Sequence, residues 1–183
     1  MKLDPFFRGF VASVVLLCGS TAWPTVLITV EEALELAFPG ATTERQTLFL
    51  SDEQQARASE ESGAEIRSAL ATRYVATNSD GTMAGWAYLD THRVRTLPET
   101  LMIVIDADAK VRRVEVVTFR EPLEYMPREG WYEQYDGETL DDDLALKRDI
   151  RPVTGATLTA RATTEAVRRV LAIHKTTLDE DAP

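Results

Sequence analysis

The chain has 183 residues, of which 44% are hydrophobic and 27% charged, an ordinary balance for one globular domain that excludes intrinsic disorder. Its formal net charge is −10. Acidity of that size argues against nucleic-acid binding and against adsorption to anionic lipid, because both need a basic patch.

The first thirty residues read as an export segment. Lys2 and Arg8 lie near the start, and Gly9 to Val30 carries no charge. Two fates are open: cleavage after Ser20-Thr21-Ala22, or retention of the apolar run as a membrane anchor, although Pro24 would break such a helix. Lipidation at Cys18 is disfavoured by the bulky Leu17 before it. In each case the positive N-terminus stays inside and the domain lies outside the cytoplasm, in the periplasm or on the outer face of the membrane. The chain thus divides into residues 1–22 as signal peptide or anchor, 30–175 as the folded domain and 176–183 as a frayed acidic tail.

Val30–Phe38 is expected to be a short helix stopped by Pro39-Gly40. Gln46–Leu50 reads as a strand, and Asp52–Ser62 as a polar, solvated helix capped by Ser51 or Asp52. Strands follow over Leu70–Thr77 and Met83–Asp90, joined by the hairpin signal Asn78-Ser79-Asp80-Gly81. A second hairpin pairs Thr100–Ile105 with Val111–Phe119. Leu101–Ile105 is apolar on both faces and is expected to be central. Between Arg120 and Pro152 the pattern is irregular. Its Trp131 and Tyr135, spaced i and i+4, are read as one packed face, with the wall of a ring-binding pocket as the alternative for Tyr125, Trp131, Tyr132 and Tyr135. Asp141–Asp143 reads as a solvated acidic loop. From Thr157 to His174 an apolar stripe at helical spacing predicts the last helix. The fold class is α+β: a mostly antiparallel sheet with helices packed on one face.

Cys18 is the only cysteine and His92 and His174 the only histidines, so thiolate metal sites, iron–sulfur clusters and disulfides in the domain are excluded. His92 reads as solvated near a strand end, and His174 as a helix-end or core-edge residue. No nucleophile–base frame is recognisable.

The stretch Thr154-Gly155-Ala156-Thr157-Leu158-Thr159 stands out. Pro152 and Gly155 keep a helix from starting earlier, so Thr157 falls at the N-cap or first turn, where unpaired N–H groups and the helix dipole favour an anion. By itself such a run is also an ordinary capped helix start.

This run resembles the Ser/Thr-Gly-Ala-Thr-x-Thr/Ser flavinylation motif of the FMN-binding domain family, which includes the flavin-carrying subunits of the sodium-pumping quinone reductase and of Rnf-type complexes. Three further elements are similar to that family in the same order: Glu32-Ala33-Leu34 with Phe38-Pro39-Gly40-Ala41, Val116–Pro122, and Trp131–Gly137. The chain departs from the pattern at Arg151, where an aspartate is common, and in lacking the His and glycine tail of the His-x-Glu-Thr-Pro-Gly element. The resemblance implies FMN joined through its phosphate to Thr157 by a separate flavin transferase. Thr154, Gly155, Ala156, Leu158 and Thr159 would line the phosphate and ring, with Glu121 a further contact. It implies an electron-transfer relay, more a redox carrier than a substrate-converting enzyme, with a membrane quinone- or cytochrome-linked module as partner. A flavin-dependent reductase of a small or extracellular acceptor, and a non-redox binding module that has lost the flavin, remain the alternatives.

Overall fold

The computed structural model describes residues 25–181, and the leader with its cleavage site and Cys18 lies outside them. Among the described residues no helix is long and apolar enough to cross a membrane. Six strands form one antiparallel sheet: β1 (Thr25–Val26), β2 (Thr42–Phe49), β3 (Leu70–Thr77), β4 (Met83–Arg93), β5 (Pro98–Ile105) and β6 (Val111–Phe119), in the spatial order β1-β6-β5-β4-β3-β2. Three α-helices accompany it: α1 (Val30–Ala37), α2 (Asp52–Ser62) and α3 (Thr157–Asp181). The α+β architecture is the expected one.

The centre follows from β5, which is apolar on both faces. Leu101, Ile103 and Ile105 enter a core under α2 and α3, whereas Met102 and Val104 enter a second core with Ala33, Leu34, Ala37 and Phe38 of α1. The helices therefore cover both faces, not the single face expected, because a strand apolar on both sides needs cover on both.

Local chemistry fixes the connections. Thr29 and Glu32 form a reciprocal capping box on α1, as do Ser51 and Gln54 on α2. The β3–β4 turn closes with Gly81 N–H on Asn78 O at 2.9 Å. Gly85 is held at φ +140°, and a Cβ there would sit 2.4 Å from the Ile105 carbonyl oxygen, so no larger residue fits.

Four expectations are corrected. Residues 25–30 belong to the domain rather than the leader, since Thr25 and Val26 pair with Phe119 and Thr118 and Thr29 caps α1. Strand β2 starts at Thr42, four residues before the expected Gln46; as an outer strand it is largely exposed and needs no apolar pattern. Helix α2 is not a solvated element, because Gln54, Ala58 and Ser62 form a buried stripe at four-residue spacing, facing α3. Helix α3 continues through Asp181, and Thr176 and Thr177 are buried, so the chain does not fray at 176.

The histidines are both interior. His174 Nδ1 meets the Tyr88 hydroxyl at 3.0 Å against Trp86, and burial followed by the Arg73 charge lowers its pKa to about 4. His92 is not solvated: its side chain is 10% exposed, with Nδ1 2.8 Å from Asp90 and Nε2 3.1 Å from Glu99. Arg169 of α3 completes the group at 2.9 Å from Asp90. Burial by itself lowers the His92 pKa, but the hydrogen bonds to Asp90 and Glu99 outweigh it and raise it to about 9. Burial raises the pKa of Glu99, and its second oxygen meets no partner among the described residues. A histidine whose pKa rises on folding adds stability that is complete below about pH 6.5 and disappears as pH climbs through about 9. His92→Phe should therefore cost more stability at pH 6 than at about pH 9.5, measured by urea unfolding of both proteins. An equal cost at both pH values would show that folding leaves the His92 pKa unshifted.

Candidate functional site

The segment leading to α3 is pinned by the aromatic stretch before it. A 3-10 helix over Glu129–Tyr135 stacks Trp131 edge-on against Tyr135, ring centroids 5.6 Å apart. Tyr135 is fully buried, its hydroxyl 2.7 Å from Thr164 Oγ1, which bears out packing rather than ligand contact for that residue. Trp131 Nε1 donates to the Arg151 carbonyl at 2.7 Å, and the Arg151 N–H donates to Gln134 Oε1 at 2.9 Å. Both backbone polar groups of one residue are thus held by two side chains three positions apart.

Beyond this clamp the chain turns through Gly155, whose φ of +87° favours glycine and beside whose missing Cβ there is open space within 4 Å. Ala156 O accepts the Ala160 N–H at 2.9 Å, so α3 begins at Thr157. Thr157 is exposed, and its hydroxyl donates to the Val153 carbonyl at 3.1 Å. The N–H groups of Thr157, Leu158 and Thr159 meet no acceptor among the described residues, as expected of a first turn. An exposed hydroxyl, three free donors, the positive end of a 25-residue helix and an empty glycine position together suit a phosphate.

The other expected contacts divide. Thr154 and Leu158 are exposed beside Thr157, and Ala156 is buried beneath it. Thr159 is turned inward, its hydroxyl donating to the Tyr125 carbonyl, and so is not free to line a ligand. Glu121 Oε1 accepts the N–H groups of Arg95, Thr96 and Leu97 at 2.7–3.2 Å. Burial would raise its pKa, but these donors outweigh that and hold it below the usual carboxylate range. Through Oε1, Glu121 fastens the β4–β5 turn. That turn is close to α3, since Arg95 lies 5.0 Å over the Tyr125 ring whose carbonyl binds Thr159.

Two hollows flank the sheet. One, of about 640 Å³, is walled by Met126, Pro127 and Tyr132 together with β6, Leu27 and Ile28 before α1, and Leu36 near the end of α1. The other, of about 850 Å³, is lined by Asp90, His92 and Arg169 with residues of 63–72. None of residues 154–159 lines either hollow. The Asp90–His92–Glu99 group was missed from sequence, although Tyr88, Asp90 and His92 alternate onto one face of β4. Among the described residues no group of three or more His, Cys, Asp or Glu side chains is arranged to hold a metal ion.

Residues 97–172 match a family model described as an FMN-binding domain. Over this segment the chain is similar to that family. The segment runs from the start of β5 into α3 and contains Glu121, the Trp131–Gln134 clamp and Thr157, whereas Glu32–Ala41 lies outside the match. No curated protein and no solved structure matches the chain. The protein is therefore a flavin-binding protein with FMN as its flavin, and the helix start has the donors that an FMN phosphate needs.

Gln134→Leu should remove the acceptor for the Arg151 N–H and cost about 1–2 kcal/mol. Hydrogen exchange at the Arg151 amide should speed up more than exchange in β5. Unchanged protection there would dismiss the clamp.

Proposed function

We propose that this protein is an exported electron-transfer relay whose FMN is esterified through its phosphate to Thr157. The observation that carries the reading is the exposed Thr157 hydroxyl beside three unpaired N–H groups, inside a segment similar to the FMN-binding domain family. Those donors would hold the phosphate oxygens, and the open side of Gly155 would admit them against the backbone. Bound FMN supplies one- and two-electron redox chemistry, while the chain supplies position and electrostatics. The hydroxyl must release the Val153 carbonyl to be esterified, an exchange costing about 1 kcal/mol. Attachment would be made by a flavin transferase acting on the exposed turn, the Thr157 oxygen taking the FMN phosphate from a flavin dinucleotide as its P–O–P bond breaks, the nucleoside monophosphate leaves and the hydroxyl proton passes to solvent. The electron partner would be a membrane quinone- or cytochrome-linked module. Outside the cytoplasm a covalent tether makes sense, because a lost cofactor is not readily replaced there.

The uncharged stretch from Gly9 to Pro24 behind Lys2 and Arg8 supports export. In place of the aspartate common in the family, Arg151 presents only its backbone to the clamp, and its exposed cation would favour a phosphate nearby.

Mass spectrometry of protein coexpressed with a flavin transferase should show an added FMN less one water on the peptide containing Thr157. Thr157→Ala should abolish the adduct, and Thr157→Ser should retain it. An undiminished adduct in the alanine variant would remove the attachment claim, and a colourless wild-type protein would favour a module that has lost the flavin.

A further inference from the structure

Three elements converge at the end of the domain that carries Thr157: the β4–β5 turn, the chain leaving β6 and the first turns of α3. Glu121, Arg95, Tyr125 and Thr159 join them through the contacts described above. Residues 93–96, 120–128 and 151–161 contain six arginines, Arg93, Arg95, Arg120, Arg128, Arg151 and Arg161, against two glutamates. All six arginines are exposed, and among the described residues none is engaged in an ion pair. Of the glutamates, Glu121 is buried with its Oε1 held by the 95–97 backbone, and Glu124 is the exposed counter-charge. Two large aliphatic side chains stand out within this collar, Leu123 at 53% and Leu158 at 48% exposure. The opposite ends of the strands carry Asp80, Asp106 and Asp108 in the turns, with Lys110 and Arg112 beside them.

We propose that this end of the domain docks on an anionic phospholipid surface, with the arginines at headgroup phosphates and Leu123 and Leu158 inserted at the acyl boundary. The overall net charge masked the patch in the sequence, since the arginines come together only through folding. Unpaired guanidinium groups attract anionic headgroups by about 1 kcal/mol each, and two inserted leucines add apolar burial that neither nucleic acid nor a purely acidic protein face would reward. A phosphate diester at Thr157 would add a single negative charge and leave the collar cationic. Docking in this orientation would bring Thr157 to the membrane surface, but the inference does not depend on flavin loading.

The test is co-sedimentation of the full chain with vesicles of phosphatidylcholine alone, or with about a third of the lipid as phosphatidylglycerol. Residues 1–24 are common to every variant, so differences between variants report the patch. Binding should require the anionic lipid and weaken with added salt. Arg120→Gln with Arg128→Gln should weaken it by about twentyfold or more, and Leu123→Ser should weaken it further without changing the salt dependence. Lys110→Gln with Arg112→Gln, at the other end of the strands, should leave binding unchanged. Equal binding to neutral and anionic vesicles would overturn the proposal, as would equal loss in the distal pair. So would sensitivity to the arginines without sensitivity to Leu123, which would point to an acidic protein or polyanion instead.

Discussion

The position of α3 depends on a single residue being held from two sides. Trp131 and Gln134 take the carbonyl and the amide of Arg151, and six residues later the chain presents Thr157 at the start of a 25-residue helix. Each bond contributes only about 1 kcal/mol net, and because both lie at the surface their effect is to fix the direction of the backbone more than to add stability. With Arg151 fixed, the left-handed Gly155 can turn the chain by one route, and the first-turn donors of the helix point outward instead of into the core. The clamp gives the Trp-x-x-Gln spacing a physical purpose: two side chains on one short helical turn reach the two sides of a single backbone unit.

The rest of the domain keeps that helix on the sheet. Strand β5 divides its residues between two cores, so the sheet is filled on both sides and α3 rests on a packed platform. Arg169, Asp90, His92 and Glu99 add a charged seam between α3 and strands β4 and β5. Such a seam is weak evidence for net stability, since desolvation offsets much of the attraction. Its contribution is to positional specificity: a shift of α3 by one turn would leave buried charges without partners.

Much of the fold was legible in local patterns. The borders of α2, β3 and β6 follow from caps, turn residues and apolar runs, and the central place of β5 follows from its unbroken apolar sequence. Strand β2 was only half visible, because an outer strand of threonine, glutamate and arginine has no buried face to reveal it. The inner side of α2 was hidden for a related reason, since Gln54, Ala58 and Ser62 do not look like a stripe until α3 lies against them. At the site, Thr157 and Gly155 were readable as a helix start with a glycine turn. The inward rotation of Thr159 and the capture of Glu121 by the 95–97 backbone were not, because each depends on a partner about 25 or more residues away in the chain. His92 looked solvated beside Arg93 and Arg95, whereas strand alternation turns it inward and the arginines outward.

If the proposed relay operates, the charged seam also bears on electron exchange. Ion pairs buried between a helix and a sheet have little freedom to reorient, and the low dielectric around them limits how far neighbouring dipoles respond to a new charge. A group mounted at the head of α3 would therefore sit on a framework that rearranges little between oxidation states. Little rearrangement means a low nuclear barrier, so the tempo of transfer would be governed by how closely a partner approaches.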